Sequence, residues 1–302
     1  MICLRFLSAV ILCVLQGIWS DLCAQDPTDL YAFHLTVGTE GNYTITSPKY
    51  LSGFNTGGYT NQPWFTSDGK LLVSVRKKGG DQTDIYQLDL ARHSVKRMSA
   101  TKANEYSPRL SPDGQSLTVL RQVEGDSMDQ QVWKVPVSGG AGESVAPHIR
   151  NAGYYAWLDP RQMAIYRLEG ESNSLELYNL QDGRSRRIAT AVGRTLLADP
   201  GGNVVYVHKF DSTYWYLKRY NPLRMTIDII AQTPVLSEDF ALSPDGTFFM
   251  GGGSILYAFH PGVDTAWKKV ADLSQYDIHG ITRLAISPDG RTLVLANVKK
   301  KV

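Results

Sequence analysis

The sequence predicts an all-β chain, a six-bladed β-propeller of four-stranded blades whose last blade is closed by strands from both termini. Three observations predict it. A tight-turn motif recurs at a near-constant interval, an aromatic-bearing strand recurs between the turns, and the two ends of the chain carry half-units that complement each other.

The turn sets the period. LSPDG stands at Leu110 to Gly114 and at Leu242 to Gly246, ISPDG at Ile286 to Gly290, and the shorter TSDG at Thr66 to Gly69. Two degenerate copies, LDPRQ at Leu158 to Gln162 and ADPGG at Ala198 to Gly202, fall in phase. The turn aspartates are then Asp68, Asp113, Asp159, Asp199, Asp245 and Asp289, separated by 45, 46, 40, 46 and 44 residues. A period of about 40 to 45 residues is that of a propeller blade. In SPDG, proline presets φ, aspartate bonds the local backbone, and glycine accepts the left-handed conformation. The motif reads as the hairpin between the first and second strands of each blade, on the face opposite the longer loops. Its aspartates read as structural rather than catalytic.

Each blade then needs three more strands. The third carries an aromatic residue after an aliphatic one: DIYQLDL (Asp84 to Leu90), QVWKV (Gln131 to Val135), LELYNL (Leu175 to Leu180) and ILYAF (Ile255 to Phe259), with YLKRY (Tyr216 to Tyr220) in the fourth copy. The segment from Pro63 to Ala100 resolves into WFTS, KLLVSV, DIYQLDL and VKRMSA, four short alternating or apolar runs separated by Gly, Asp and Lys punctuation. No stretch sustains the 3.6-residue period of a helix.

The last copy, Ile281 to Val298, holds only two strands. The missing pair stands at the other end, where DLYAFHL at Asp29 to Leu35 matches DIYQLDL position by position and NYTITSPKY at Asn42 to Tyr50 supplies a fourth strand. Closing the ring this way removes the free edges of an open sheet.

Ahead of this domain, Arg5 followed by the apolar run Phe6 to Ile18 and the small Ala24 reads as a secretory signal peptide over residues 1–24. The run is shorter than the roughly 20 residues of a spanning helix, so no transmembrane segment is expected once the signal is removed. Residues 25–302 form a single domain, and the mature chain is periplasmic or secreted. Cys3, Cys13 and Cys23 all fall in the leader, which leaves the domain neither disulfide nor thiolate. A net charge of +2, with a basic run only at Lys299 to Lys301, argues against a nucleic-acid partner.

The YSPRLSPDG stretch at Tyr106 to Gly114, the DIYQLDL strand and the two-plus-two closure resemble the TolB-type, WD40-like propeller repeats of bacterial envelope proteins. The resemblance covers essentially all of residues 25–302. The sequence before Asp29 is shorter than the α/β domain that precedes the propeller in TolB proteins. Similar repeats occur in periplasmic binding scaffolds, in propellers attached to prolyl oligopeptidase-type hydrolases and in some polysaccharide lyases. The resemblance implies a non-enzymatic binding or assembly module of the envelope with a protein or peptide partner; the alternative it implies is a carbohydrate-active propeller, either a metal-assisted polysaccharide lyase or a sugar-binding module.

No reaction is declared by motif. There is no G-x-S-x-G elbow, no H-E-x-x-H and no phosphate-binding G-x-x-x-x-G-K; GGGSIL (Gly251 to Leu256) and GGAGES (Gly139 to Ser144) read as strand connections. Of the six histidines, His148 and His279 precede first strands, where a channel mouth is expected, but two from different blades do not make a metal site. No cofactor is expected. The residues placed near the axis, on the face where the chain enters the first strands, are Tyr154, Tyr155, Arg194, Glu238, Asp239 and Arg283, with His279 beside them. The second-to-third-strand loops GGDQTD (Gly79 to Asp84), EGDSMDQ (Glu124 to Gln130) and EGES (Glu169 to Ser172) are acidic, either a rim for a basic partner or solvated loop charge. A sugar-binding surface would instead show Trp64, Tyr154 and Trp157 on one face.

Overall fold

The computed structural model describes residues 26–298, apart from 39–41, 47, 100, 138–140 and 171. The predicted leader with its cysteines and the C-terminal lysines lie outside the described residues. The chain opens with β1 (Thr28–Val37) and two short strands, β2 (Tyr43–Ile45) and β3 (Lys49–Tyr50). Five four-stranded groups follow. They are β4 (Tyr59–Phe65) to β7 (Ser94–Arg97) through β5 (Leu71–Arg76) and β6 (Thr83–Asp89), then β8 (Glu105–Leu110), β9 (Ser116–Val123), β10 (Asp126–Pro136) and β11 (Glu143–Ser144). The third is β12 (Ala152–Asp159), β13 (Gln162–Arg167), β14 (Ser174–Asn179) and β15 (Ser185–Thr190); the fourth is β16 (Val192–Ala198), β17 (Val204–Lys209), β18 (Trp215–Asn221) and β19 (Thr226–Gln232). The fifth is β20 (Phe240–Leu242), β21 (Phe248–Gly252), β22 (Ile255–Phe259) and β23 (Lys268–Asp272), and the chain ends in β24 (Ile281–Ile286) and β25 (Thr292–Val298).

The two ends meet. β1 pairs antiparallel with β25 from Thr28↔Val298 to His34↔Thr292, so the last two strands gain their third from the start of the chain. The expected fourth strand is divided: β2 pairs with Leu35 to Val37 and β3 with Tyr31 and Ala32. The ring closes at the next contact, where Thr28 of β1 pairs with Tyr59 of β4 and β24 lies against β4. Helix is confined, among the described residues, to the single 3₁₀ turns Ser52–Asn55 and Ser274–Tyr276.

Burial follows strand position. The second strand of the first group, LLVSVR, is buried at all but its last residue, and the fourth, SVKR, is exposed throughout. Apolar clusters fill the spaces between neighbouring groups, as where Tyr106, Leu120 and Val132 meet Tyr155, Met163 and Ile165.

The repeated turns adopt the expected form. Gly114 donates to Ser111 O at 2.8 Å, Asp113 Oδ1 accepts from Ser111 Oγ at 2.5 Å and from Gln115 N at 3.0 Å, and Gly114 has φ +68°. The same bonds recur around Asp289, where Ser287 Oγ donates at 2.5 Å and Arg291 N at 3.0 Å. These donors hold the Asp113 and Asp289 carboxyls below the usual carboxylate range, the serine hydroxyl contributing most. Such aspartates are consumed by their own turns.

Candidate axial binding site

The site begins with an irregularity shared by the first strands. Pairing registers shift between Asn61 and Trp64, Tyr106 and Arg109, Ala152 and Tyr154, Val192 and Leu196, and Thr282 and Leu284. A β-bulge frees one residue from the ladder and re-aims its side chain. The freed residue stands six positions before the turn aspartate in each copy: Gln62, Ser107, Gly153, Gly193 and Arg283, with Asp239 at the equivalent place just ahead of β20. Gln62, Ser107 and Arg283 take left-handed backbone, at φ 54°, 51° and 37°, an arrangement that costs energy in a non-glycine residue. Gly153 and Gly193 are required for space. A Cβ on Gly193 would stand 2.8 Å from Glu238 Cβ, and one on Gly153 would stand 2.8 Å from Tyr166 Cδ1.

Asp239 is the hub of these residues. Its Oδ1 accepts from Arg283 Nη1 at 2.6 Å, Arg194 Nε at 3.0 Å and Thr195 Oγ1 at 3.1 Å, while Oδ2 accepts from Arg194 Nη2 at 2.5 Å. Arg283 continues across the axis, donating through Nη2 to Tyr154 Oη at 2.5 Å with its guanidinium 4.6 Å from the centre of that ring. Glu238 accepts from Arg194 N at 3.2 Å and pairs with Lys209 at 2.6 Å. Burial acts to raise the Asp239 carboxyl, but Arg283 and Arg194 outweigh it and hold the group well below the ordinary carboxylate range. Arg194 is pushed up: burial works against its charge, and the Asp239 carboxylate overrides burial. Tyr59, buried on β4 nearby, is raised by desolvation and by Tyr154.

Beyond this network the axis opens into a cavity of about 430 Å³, a volume typical of ligand pockets. Tyr154, Arg194 and Arg283 line one end, and the exposed turn residues Pro200, Pro244 and Pro288 line the other. Between them stand Trp64 and Arg109. The Arg109 guanidinium lies 4.1 Å from the Trp64 ring centre and donates to Leu196 O at 3.0 Å. Burial lowers its pKa to about 10, with Tyr155 opposing the shift.

The expected site residues separate into two sets. Tyr154, Arg194, Glu238, Asp239 and Arg283 converge. Tyr155 lies between blades, its hydroxyl within hydrogen-bonding reach of Thr118 Oγ1 at 2.9 Å and Ser107 O at 3.0 Å, outside the Asp239 network but still on the cavity wall beside Arg109. His279 faces Asp277 at 3.3 Å, outside the network, and His148 is an exposed loop residue. Among the described residues, no group of three or more His, Cys, Asp or Glu side chains is placed to hold a metal. The acidic loops spend part of their charge internally: Asp84 pairs with Arg97 at 2.9 Å, Asp129 with Arg150, and Glu169 with Arg167 and Arg187. Of the three aromatic residues considered for a sugar platform, Trp157 donates its Nε1 to Thr118, and Tyr154 is engaged with Arg283. Trp64 remains in the cavity wall. Arg109 was not singled out from sequence; a lone arginine before a turn carries no signal until the ring is closed.

No protein-family model matches the chain, and no curated protein matches it. Solved structures do. A protein assigned as TolB from Agrobacterium tumefaciens superposes with a TM-score of 0.67 at 13% identity, over 92% of this chain and 100% of its own. The fold is a TolB-like β-propeller. TolB from Acinetobacter baumannii matches with a TM-score of 0.57 at 15% identity, over 91% of this propeller and 64% of the longer protein. An oligogalacturonate lyase in complex with manganese matches with a TM-score of 0.50 at 16% identity, over 92% and 99%. At these identities the likeness is one of fold, which unrelated functions share.

Proposed function

We propose that this propeller is an exported, non-enzymatic binding module of the bacterial cell envelope, periplasmic or secreted, that grips a segment of a partner protein at its axis. The observation that carries the reading is the axial cavity with its ready-made polar end. Residues from the third, fourth, fifth and last blades are already locked to Asp239 and Tyr154, so a bound segment meets a surface that needs no ordering on association. Among the described residues no helix is long and apolar enough to cross a membrane. The TolB-like fold supports a protein partner by analogy. The polysaccharide reading rests on Trp64, which lines the cavity with Arg109 standing over its ring.

The test fills the cavity. Ala198 lines it, and Ala198→Trp would occupy the space without touching the Asp239 network. Captures from an envelope extract with the unaltered chain and with this variant are compared, alongside an outer-strand control, Ile229→Ser, at an exposed position. Loss of the captured protein with the cavity variant alone supports axial recognition. Equal capture by all three chains overturns it.

A further inference from the structure

The charges around the cavity do not balance. Arg194, Arg283 and Lys209 share the carboxylates of Asp239 and Glu238, and Asp199 on the cavity wall is taken by Arg219 at 2.8 Å. Arg109 has no carboxylate within ion-pairing distance among the described residues; its recorded partners are the Trp64 and Tyr155 rings and the Leu196 carbonyl. A half-buried guanidinium has five donor hydrogens in a fixed fork, and one carbonyl satisfies a minority of them. Ser107, two residues away and also on the cavity wall, holds a buried Oγ with no hydrogen-bond partner. An unpaired cation in a largely apolar wall is expensive to maintain, and an anion is what relieves the cost.

We infer that the axial cavity is a carboxylate site, in which Arg109, its guanidinium held over the Trp64 ring, pairs with an acidic or C-terminal carboxylate of an extended peptide segment. The inference rests on the axial reading above and gives its partner a chemistry. The guanidinium fork matches a carboxylate with two parallel bonds. The Trp64 ring and the Leu196 carbonyl hold the guanidinium in place, and the apolar wall made by Phe65, Leu197 and Phe240 suits a neighbouring apolar side chain rather than a second charge. The Asp239 network excludes a cationic residue at the far end, since its carboxylate is already shared by two arginines.

The experiment is calorimetric titration of residues 25–302 with four probes. They are N-acetyl-Ala-Leu-Phe as the free acid, the same peptide amidated, an amidated N-acetyl-Ala-Leu-Glu, and galacturonic acid. The two carboxylate peptides distinguish a chain terminus from an acidic side chain. We expect at least one to bind and its uncharged counterpart to bind about 10- to 100-fold more weakly, the value of one charged hydrogen-bonded pair. Arg109→Met should erase the difference between acid and amide, and Arg109→Lys should keep part of it; a melting curve on each variant checks that the fold persists. Acid and amide peptides binding alike would sink the carboxylate site and leave axial peptide binding standing. Galacturonic acid preferred over both peptides would overturn the peptide occupant and the reading it rests on, while no binding by any acid at about 1 mM overturns the site itself.

Discussion

Arg283 on β24 donates to Asp239 at 2.6 Å from a blade 44 residues further along the chain, and the same carboxylate is held in a two-pronged grip by Arg194 from a third blade. One buried anion thus ties three blades at the axis.

Removing that anion leaves Arg283 without a carboxylate and Arg194 with Glu238 alone. Asp239→Ala should cost about 3–5 kcal/mol, as expected when one partner of a buried ion pair is deleted, read as a lower urea midpoint with an unchanged slope. The pH dependence has a defined sign. Because the Asp239 carboxyl is held below its ordinary range in the folded chain, its contribution is complete above about pH 4, the unfolded value. It is lost as pH falls through the lower folded value. The stability gap between the unaltered chain and Asp239→Asn should therefore be constant from neutral pH to about pH 4 and close only below it.

The closing blade should be a point of global weakness. Phe33, 1% exposed on β1, packs into the cluster that holds Leu293 and Leu295 of β25 and Phe249 of the neighbouring blade. Phe33→Ala is expected to cost about 3–5 kcal/mol. Calorimetry should record a single shifted transition; a separate early transition, with the other blades intact, would contradict a cooperative ring.

Two glycines separate backbone cost from steric cost. At Gly114, φ is +68° and a Cβ would meet nothing within 4 Å, so Gly114→Ala should cost only the left-handed penalty of about 1–2 kcal/mol. At Gly251 a Cβ would land inside the Ile281 side chain of the adjoining blade. Gly251→Ala should be the more damaging change, and Ile281→Ala, which removes the clashing Cγ2, should partly relieve that clash but leave the cost of Gly114→Ala unaltered.

Arg109 offers a prediction of opposite sign. Without ligand, Arg109→Met should melt no lower than the unaltered chain, since it replaces a desolvated cation lacking a carboxylate with an apolar side chain of similar length. A marked fall in melting temperature would assign Arg109 to the architecture instead.

The fold was legible because its information is repeated. The turn aspartates give the period, and the pairing of β1 with β25 follows from the two incomplete units at the ends. The site was legible only in part, since the position six residues before each turn aspartate varies among glycine, polar and charged residues from copy to copy, from Gln62 to Arg283. Asp239 and Arg283 stood out as charges close to a strand start, whereas the different places of Tyr154 in the polar network and Tyr155 between blades did not. The register shifts beside Gly153, and nothing in AGYYAWLD marks which tyrosine joins the network. Trp64 and Arg109 come from blades one and two, and their contact depends on how those blades are tilted together, a property that no local pattern carries.

The seam between Thr28 and Val298 also sets an order of events. The strand that emerges first from the ribosome waits for the one that emerges last, so no intermediate length of chain can complete its β-sheet. Contacts of such long sequence separation form late and slowly. A polypeptide built this way gains its closing sheet, and with it the ring, only when both of these distant strands are present to pair.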